Sequence, residues 1–141
     1  MSDLFILDAC SLIALLTNEE GSEIVKNLLE KTLNDEYTIR MHKVNLFEVY
    51  YYIYRRYGEQ PANKFIEDIK TSPIQINSQI TDDIFIIAGR LKSMYKMSLA
   101  DSIGIAEAII NDGIFVTADH HELDIVEEKE KIKIQWIREK K

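Results

Sequence analysis

Cysteine occurs once in this chain, at Cys10, so no internal disulfide framework holds it together. No apolar run approaches the roughly 20 residues that a membrane-spanning helix requires, so no membrane association is expected. The opening Met1-Ser2-Asp3 lacks the basic start of a secretory signal, which makes the cytoplasm the expected location. Basic residues are also in deficit: 17 Lys and Arg face 24 Asp and Glu, for a formal charge of −7. Such a balance argues against a protein that coats nucleic acid electrostatically. It remains compatible with an enzyme whose acids gather cations and meet a phosphodiester through them. Glycine-rich phosphate loops and dinucleotide fingerprints are missing, which disfavours nucleotide-binding enzymes. One cysteine and three scattered histidines make no convincing zinc set.

What is present suits one domain over residues 1–141, since 46% apolar residues in a chain of this length can bury a sizeable core. Leu4-Phe5-Ile6-Leu7 is too short for a helix and is bounded by polar residues, so it reads as a buried strand of a parallel sheet. Further strands are expected at 38–41, 73–76 and 114–116, with an alternating edge strand at 132–136. Helices are expected at 11–16, from 21 to about 33, at 43–57 closed by Gly58, and from a first turn holding Pro61 to about 70. Two more are expected at 80–95 and 99–111. The mixed charges of 127–133 read as a solvated helix end and turn. Strands interleaved with helices at this spacing predict an α/β layer fold, with a short, mainly parallel sheet flanked by helices. There is no internal repeat, low-complexity segment or long linker.

Four acids stand out. Asp8 directly follows the first strand, Asp119 follows the strand that ends near Thr117, and Asp101 lies in the first turn of a helix opening at Ser98-Leu99-Ala100. Open parallel sheets bind ligands beyond the carboxyl ends of their strands, where Asp8 and Asp119 should emerge together. Each acid also has a bland role: Asp8 and Asp119 suit helix N-caps, and Ser98 with Asp101 has capping-box spacing. Caps, however, have no reason to cluster on one sheet edge. Glu48 is the most informative. Between Val44 and Tyr54 only Asn45 and Glu48 are strongly polar, and their i, i+3 spacing puts them on one face. A helix apolar nearly all round is expected to be buried. An ionised Glu inside it needs a cation, or else hydrogen bonds from a tyrosine hydroxyl or Asn in a polar niche. Four converging carboxylates would repel one another, and hard divalent cations with oxygen ligands relieve that repulsion. Mg²⁺ or Mn²⁺ is therefore favoured over zinc, and such ions suit in-line attack of water on a phosphodiester.

These residues resemble the PIN-domain ribonucleases, and in particular the VapC toxins of type II toxin–antitoxin pairs. The resemblance is carried by Leu-Asp-Ala-Cys-Ser-Leu-Ile-Ala-Leu-Leu around Asp8, Met-His-Lys-Val-Asn-Leu-Phe-Glu-Val-Tyr around Glu48, Leu-Ala-Asp-Ser-Ile-Gly around Asp101 and Val-Thr-Ala-Asp-His-His-Glu-Leu-Asp around Asp119. Each segment alone is weakly specific; their order and spacing from Phe5 almost to the C-terminus are strongly so. The resemblance implies a PIN-like three-layer fold. It implies that Asp8, Glu48, Asp101 and Asp119 are the catalytic, metal-binding acids, accompanied by the hydroxyls of Ser11 and Thr117. It further implies endoribonuclease activity on RNA with Mg²⁺ or Mn²⁺, a homodimer, and silencing by a cognate antitoxin. No acidic position is missing, so nothing suggests an inactive copy.

The remaining candidates read more plainly. Cys10 suits a small core position, and Asp124 an exposed turn. His120 and His121 suit the partly exposed start of a helix. Tyr50, Tyr51, Tyr52, Tyr54 and Tyr57 suit core or interface packing, with base stacking as the lesser role. Arg55, Arg56, Arg90, Lys92 and Lys96 suit a solvated surface, or a basic rim for RNA. Three other functions stay in view. One is a non-catalytic binding protein on the same fold, and another is a housekeeping RNA-processing nuclease. The third is a phosphatase with Asp8 as nucleophile, but that chemistry wants a second Asp where Cys10 stands.

Overall fold

Five strands and seven helices alternate through residues 3–140, which the computed structural model describes. In chain order they are β1 (Asp3–Leu7), α1 (Ala9–Leu16), α2 (Ser22–Leu33), β2 (Tyr37–His42), α3 (Lys43–Tyr57) and α4 (Glu59–Lys70). There follow β3 (Gln75–Asn77), α5 (Asp82–Met94), α6 (Leu99–Ile110), β4 (Ile114–Thr117), α7 (His120–Lys129) and β5 (Lys133–Trp136). The sheet runs β3-β2-β1-β4-β5, and all four pairings are parallel. The chain thus winds outward from β1 in both directions, and the order reverses between β1 and β4. That gap is the topological switch point at which such sheets take their ligands.

Alternation along β1 and its neighbours explains the three layers. Phe5, Leu7, Ile39, Met41 and Val116 face one core, filled by Leu12, Val25, Val49 and Phe65 from α1, α2, α3 and α4. Ile6 and Phe115 face the other, with Leu91, Ile105, Leu123 and Val126 from α5, α6 and α7. A central strand covered on both faces needs apolar residues at every position, which is why Leu4 to Leu7 shows no polar alternation.

Several boundaries differ from expectation, each for a local reason. β3 begins at Gln75 instead of residue 73, because Pro73 has no N–H for the ladder. α5 begins at Asp82, where the Thr81 hydroxyl accepts from Ile84 N at 3.3 Å, and this leaves Ile80 outside the helix. α1 starts two residues early because Asp8 caps it. The expectation that α3 is buried all round is wrong. Leu46, Val49 and Ile53 form its buried stripe, whereas Phe47, Tyr51, Tyr54 and Tyr57 are exposed. Tyrosines tolerate water at their hydroxyl end, so an aromatic-rich helix can still pack by one face. Among the described residues no helix is long and apolar enough to cross a membrane.

Candidate active site

Asp8 leaves β1 in extended backbone and caps α1, its Oδ1 accepting from Ser11 N at 2.7 Å. Its own N–H donates to Val116 O at 3.2 Å, which fixes the start of α1 against β4. The Ser11 hydroxyl donates to the same carbonyl at 2.9 Å. Across the switch point, Thr117 Oγ1 accepts from Asp119 N at 3.1 Å, and Asp119 caps α7 by accepting from Glu122 N at 3.2 Å. Ser98 caps α6 and accepts from Asp101 N at 3.0 Å. The capping readings are therefore correct and do not compete with convergence: caps fix these carboxylates where three helices start together.

Asp8, Glu48, Asp101 and Asp119 all line one pocket of about 290 Å³, together with Asn45 and Arg138. Burial pushes the Asp8 carboxyl up to about 6, against the opposing hydrogen bonds of Thr117 and Ser11. Burial, and then repulsion from Asp8, Asp119 and Glu48, pushes Asp101 up to about 8. Burial also raises Glu48, which sits half-buried on the flank of α3 and not in the deep interior. Carboxyls raised by burial and, at Asp101, by acidic neighbours make the arrival of positive charge at this pocket favourable.

One contributor escaped the sequence reading, and a second was noted there only as the polar neighbour of Glu48. The carboxylate oxygens of Asp101, Asp119 and Glu122 lie within 4.8 Å of one another, which makes Glu122 a fifth acid of the cluster. Its signal was the Asp119-x-x-Glu122 spacing at a helix start, which stacks the two on one face. Asn45 is fully buried, its Oδ1 accepting from Ala9 N at 3.2 Å and its Nδ2 donating to Ala100 O at 3.0 Å. One amide thus ties α1, α3 and α6 together beside Asp8, Glu48 and Asp101. Close approach makes this possible: a Cβ on Gly104 would lie 2.7 Å from the Phe115 ring and 3.1 Å from Asn45 Nδ2.

Other expectations shift. Cys10 is half-buried, packed against the core as expected and also forming part of the pocket wall, its thiol pushed up to about 12 by burial and then by Asp8. Asp124 is on α7, not on an exposed turn; it meets His120 Nδ1 at 2.7 Å and Lys140 Nζ at 3.1 Å. His120 begins α7 as expected and stacks on Trp136 with centroids 3.7 Å apart.

The family model for the PIN domain matches residues 5–129. The chain belongs to the PIN domain family. Solved structures share the fold of this PIN domain at low identity. DNA-bound VapBC from Salmonella typhimurium superposes with a TM-score of 0.71 at 16% identity, covering 98% of this chain and 100% of that one. VapBC2 from Rickettsia felis, bound to a promoter DNA fragment, gives 0.69 at 15%, covering 94% and 97%. VapC20 from Mycobacterium tuberculosis, a toxin that cleaves the sarcin-ricin loop, gives 0.59 at 14%, covering 83% and 91%. Curated proteins offer no sequence match.

Proposed function

We propose that this PIN domain is a Mg²⁺- or Mn²⁺-dependent endoribonuclease, the VapC-like toxin of a toxin–antitoxin pair acting in the cytoplasm. The observation that carries the reading is the convergence of Asp8, Glu48, Asp101 and Asp119 on one pocket at the switch point, with Asp8 and Asp101 held well above the usual carboxylate range. The donor set is all carboxylate oxygen, which fits a hard divalent cation. Asp8, Glu48, Asp101 and Asp119 would hold it, with Glu122 beside Asp101 and Asp119. Bound there, such an ion supplies activation of water and stabilisation of the departing oxygen of a phosphodiester.

The protein's own residues do the positioning. Ser11 N–H and Thr117 orient Asp8, Glu122 N–H orients Asp119, and Asn45 keeps the three helices in register. At neutral pH Asp101 retains its proton, which must leave when a cation binds, so affinity for the ion should rise with pH. Fold likeness to VapBC complexes supports a cognate antitoxin as partner. Exposed Phe47 and Tyr54 on α3, with Phe85 and Ile86 on α5, support a homodimer, since aromatic and apolar residues are enriched at interface cores. The test is incubation of antitoxin-free protein with a mixed RNA pool, with Mn²⁺ and with chelator, followed by end mapping. Cleavage that chelator or Asp8→Asn abolishes is the expected result. Cleavage that persists in excess chelator would refute the metal mechanism, and no cleavage of any RNA would favour a binding protein.

A further inference from the structure

Arg138 follows β5 near the end of the chain, yet the fold pins it from three sides. The N–H of buried Ile137 donates to Thr117 O at 3.1 Å, which ties this segment to the end of β4. Arg138 O accepts from His120 Nε2 at 2.8 Å, at the start of α7. Its guanidinium reaches the loop between α1 and α2, where Nε donates to Glu20 O at 3.2 Å and Nη2 to Glu19 Oε2 at 2.9 Å. Gly21 lets that loop come so near: its φ is +96°, and a Cβ there would lie 2.5 Å from Ile137 O.

The same contacts hold the guanidinium at the acids without letting it join them. Arg138 is the only cationic side chain among the described residues that line the carboxylate pocket. No ion pair among the described residues joins it to Asp8, Glu48, Asp101 or Asp119. An arginine free to move there would fold onto one of them as a charge-assisted pair. Its charge still reaches the pocket wall, where it favours the thiolate of Cys10 against the effect of burial. The side chain is 29% exposed, and Nη1 has no partner among the described residues. A fixed guanidinium beside a set of cation ligands, with donors to spare, fits an anion brought up against those cations.

We propose that Arg138 is a further catalytic residue, its Nη1 donating to a non-bridging oxygen of the phosphodiester under attack. The assignment rests on the nuclease reading and adds a residue to it. In the hydrolysis a water oxygen bonds to phosphorus and one P–O ester bond breaks. The electron pair of that bond leaves on the ribose oxygen, which takes up a proton as the attacking water gives one up. Negative charge gathers on the oxygens around phosphorus on the way, and a guanidinium already in place stabilises it without losing a proton of its own. Glu19 is then a positioning residue, since it holds the fork in that place.

The experiment compares wild type with Arg138→Gln and Arg138→Lys. It reads KM and kcat on RNA with Mn²⁺, orthovanadate binding to the Mg²⁺-loaded protein by vanadium NMR, Mn²⁺ affinity by calorimetry, and thermal melts. Arg138→Gln should lower kcat by about 100-fold, the lower end for one lost oxyanion donor, and leave KM nearly unchanged. Free guanidinium ion below denaturing concentration should restore part of that loss and do nothing for the wild type. Orthovanadate, which mimics five-coordinate phosphorus, should bind Arg138→Gln at least about tenfold more weakly. Mn²⁺ should bind the variant no more weakly than wild type, because a like charge has left the wall. Arg138→Lys keeps the charge and loses the fork, so its kcat should fall less; it carries the comparison if Arg138→Gln melts too low to assay. Unchanged kcat in the variants of a wild type that cleaves would overturn the assignment and spare the nuclease. A kcat loss that guanidinium does not restore, with a lowered melting temperature, would reduce Arg138 to a pin on the α1–α2 loop. Vanadate held through Arg138 by a wild type that cuts no RNA would overturn the nuclease and keep the anion site.

Discussion

Replacing Asp101 by Asn removes a carboxyl that the ion-free fold holds in its protonated form. In the unfolded chain this group titrates near 3.8; in the native state burial and its acidic neighbours move it to about 8. Between those values the native state binds the extra proton, so stability is fullest at the acid end and is lost as pH rises toward 8. Each pH unit in that window costs about 1.4 kcal/mol from this one group. From about pH 5 to about pH 7 the loss is about 3 kcal/mol, or about 9 °C at roughly 3 °C per kcal/mol for a domain of this size. Asn at this position binds no such proton, and the Ser98 cap is kept because it uses the backbone N–H of residue 101. Thermal melts of both proteins in chelator across this range should therefore diverge, the variant gaining about 9 °C on the wild type. Mn²⁺ at about 100 times Kd adds about 2.7 kcal/mol to the wild type and should add less to the variant. Parallel pH curves, or equal metal-induced shifts, would mean that Asp101 is only a first-turn residue of α6.

Three further expectations follow from the geometry. Glu122→Gln should raise the Mn²⁺ Kd by roughly fivefold in titration calorimetry, about 1 kcal/mol of lost attraction; an unchanged value would return the cluster to four acids. Gly104→Ala should destabilise by about 1–3 kcal/mol in urea unfolding, because the new methyl meets the buried Phe115 ring and presses on Asn45. Wild-type stability in that variant would show that α6 can lift away from the sheet at no cost. Sedimentation at micromolar concentration should find a dimer that Phe85→Glu weakens, and a monomer alone would leave the exposed faces of α3 and α5 unexplained.

The sheet was legible because β1 and β4 are apolar on both faces, because β5 alternates as an edge strand, and because turn and cap residues punctuate the strands. Asp8, Asp101 and Asp119 were legible from where they stand relative to strand ends and helix starts, a relation that survives without coordinates. Glu48 was found for a partly mistaken reason: its helix is rich in aromatics, yet four of those are exposed, and sequence cannot tell an interface tyrosine from a core one. Glu122 was missed because a helix-start acid one turn after a cap is ordinary, and only the approach of Asp101 gives it a partner. Asn45 drew notice only as a polar residue beside Glu48. Its two backbone bonds join segments 36 and 55 residues away, and no local pattern reports them.

The strand order also governs when this site can exist. Asp8 and Glu48 belong to the half of the sheet that the ribosome delivers first, with β1, β2 and β3 already able to pair. Asp101, Asp119 and Glu122 come from the last third of the chain, and β4 must slot in beside β1 before they meet the others. Until Ile114–Thr117 has emerged, one edge of β1 stays open, and Ile6 lacks the Phe115, Leu123 and Val126 that cover it in the finished molecule. A growing or truncated chain therefore carries an adhesive edge and no complete acid cluster. Such an intermediate is prone to aggregate, and it lacks the complete site proposed to cut RNA.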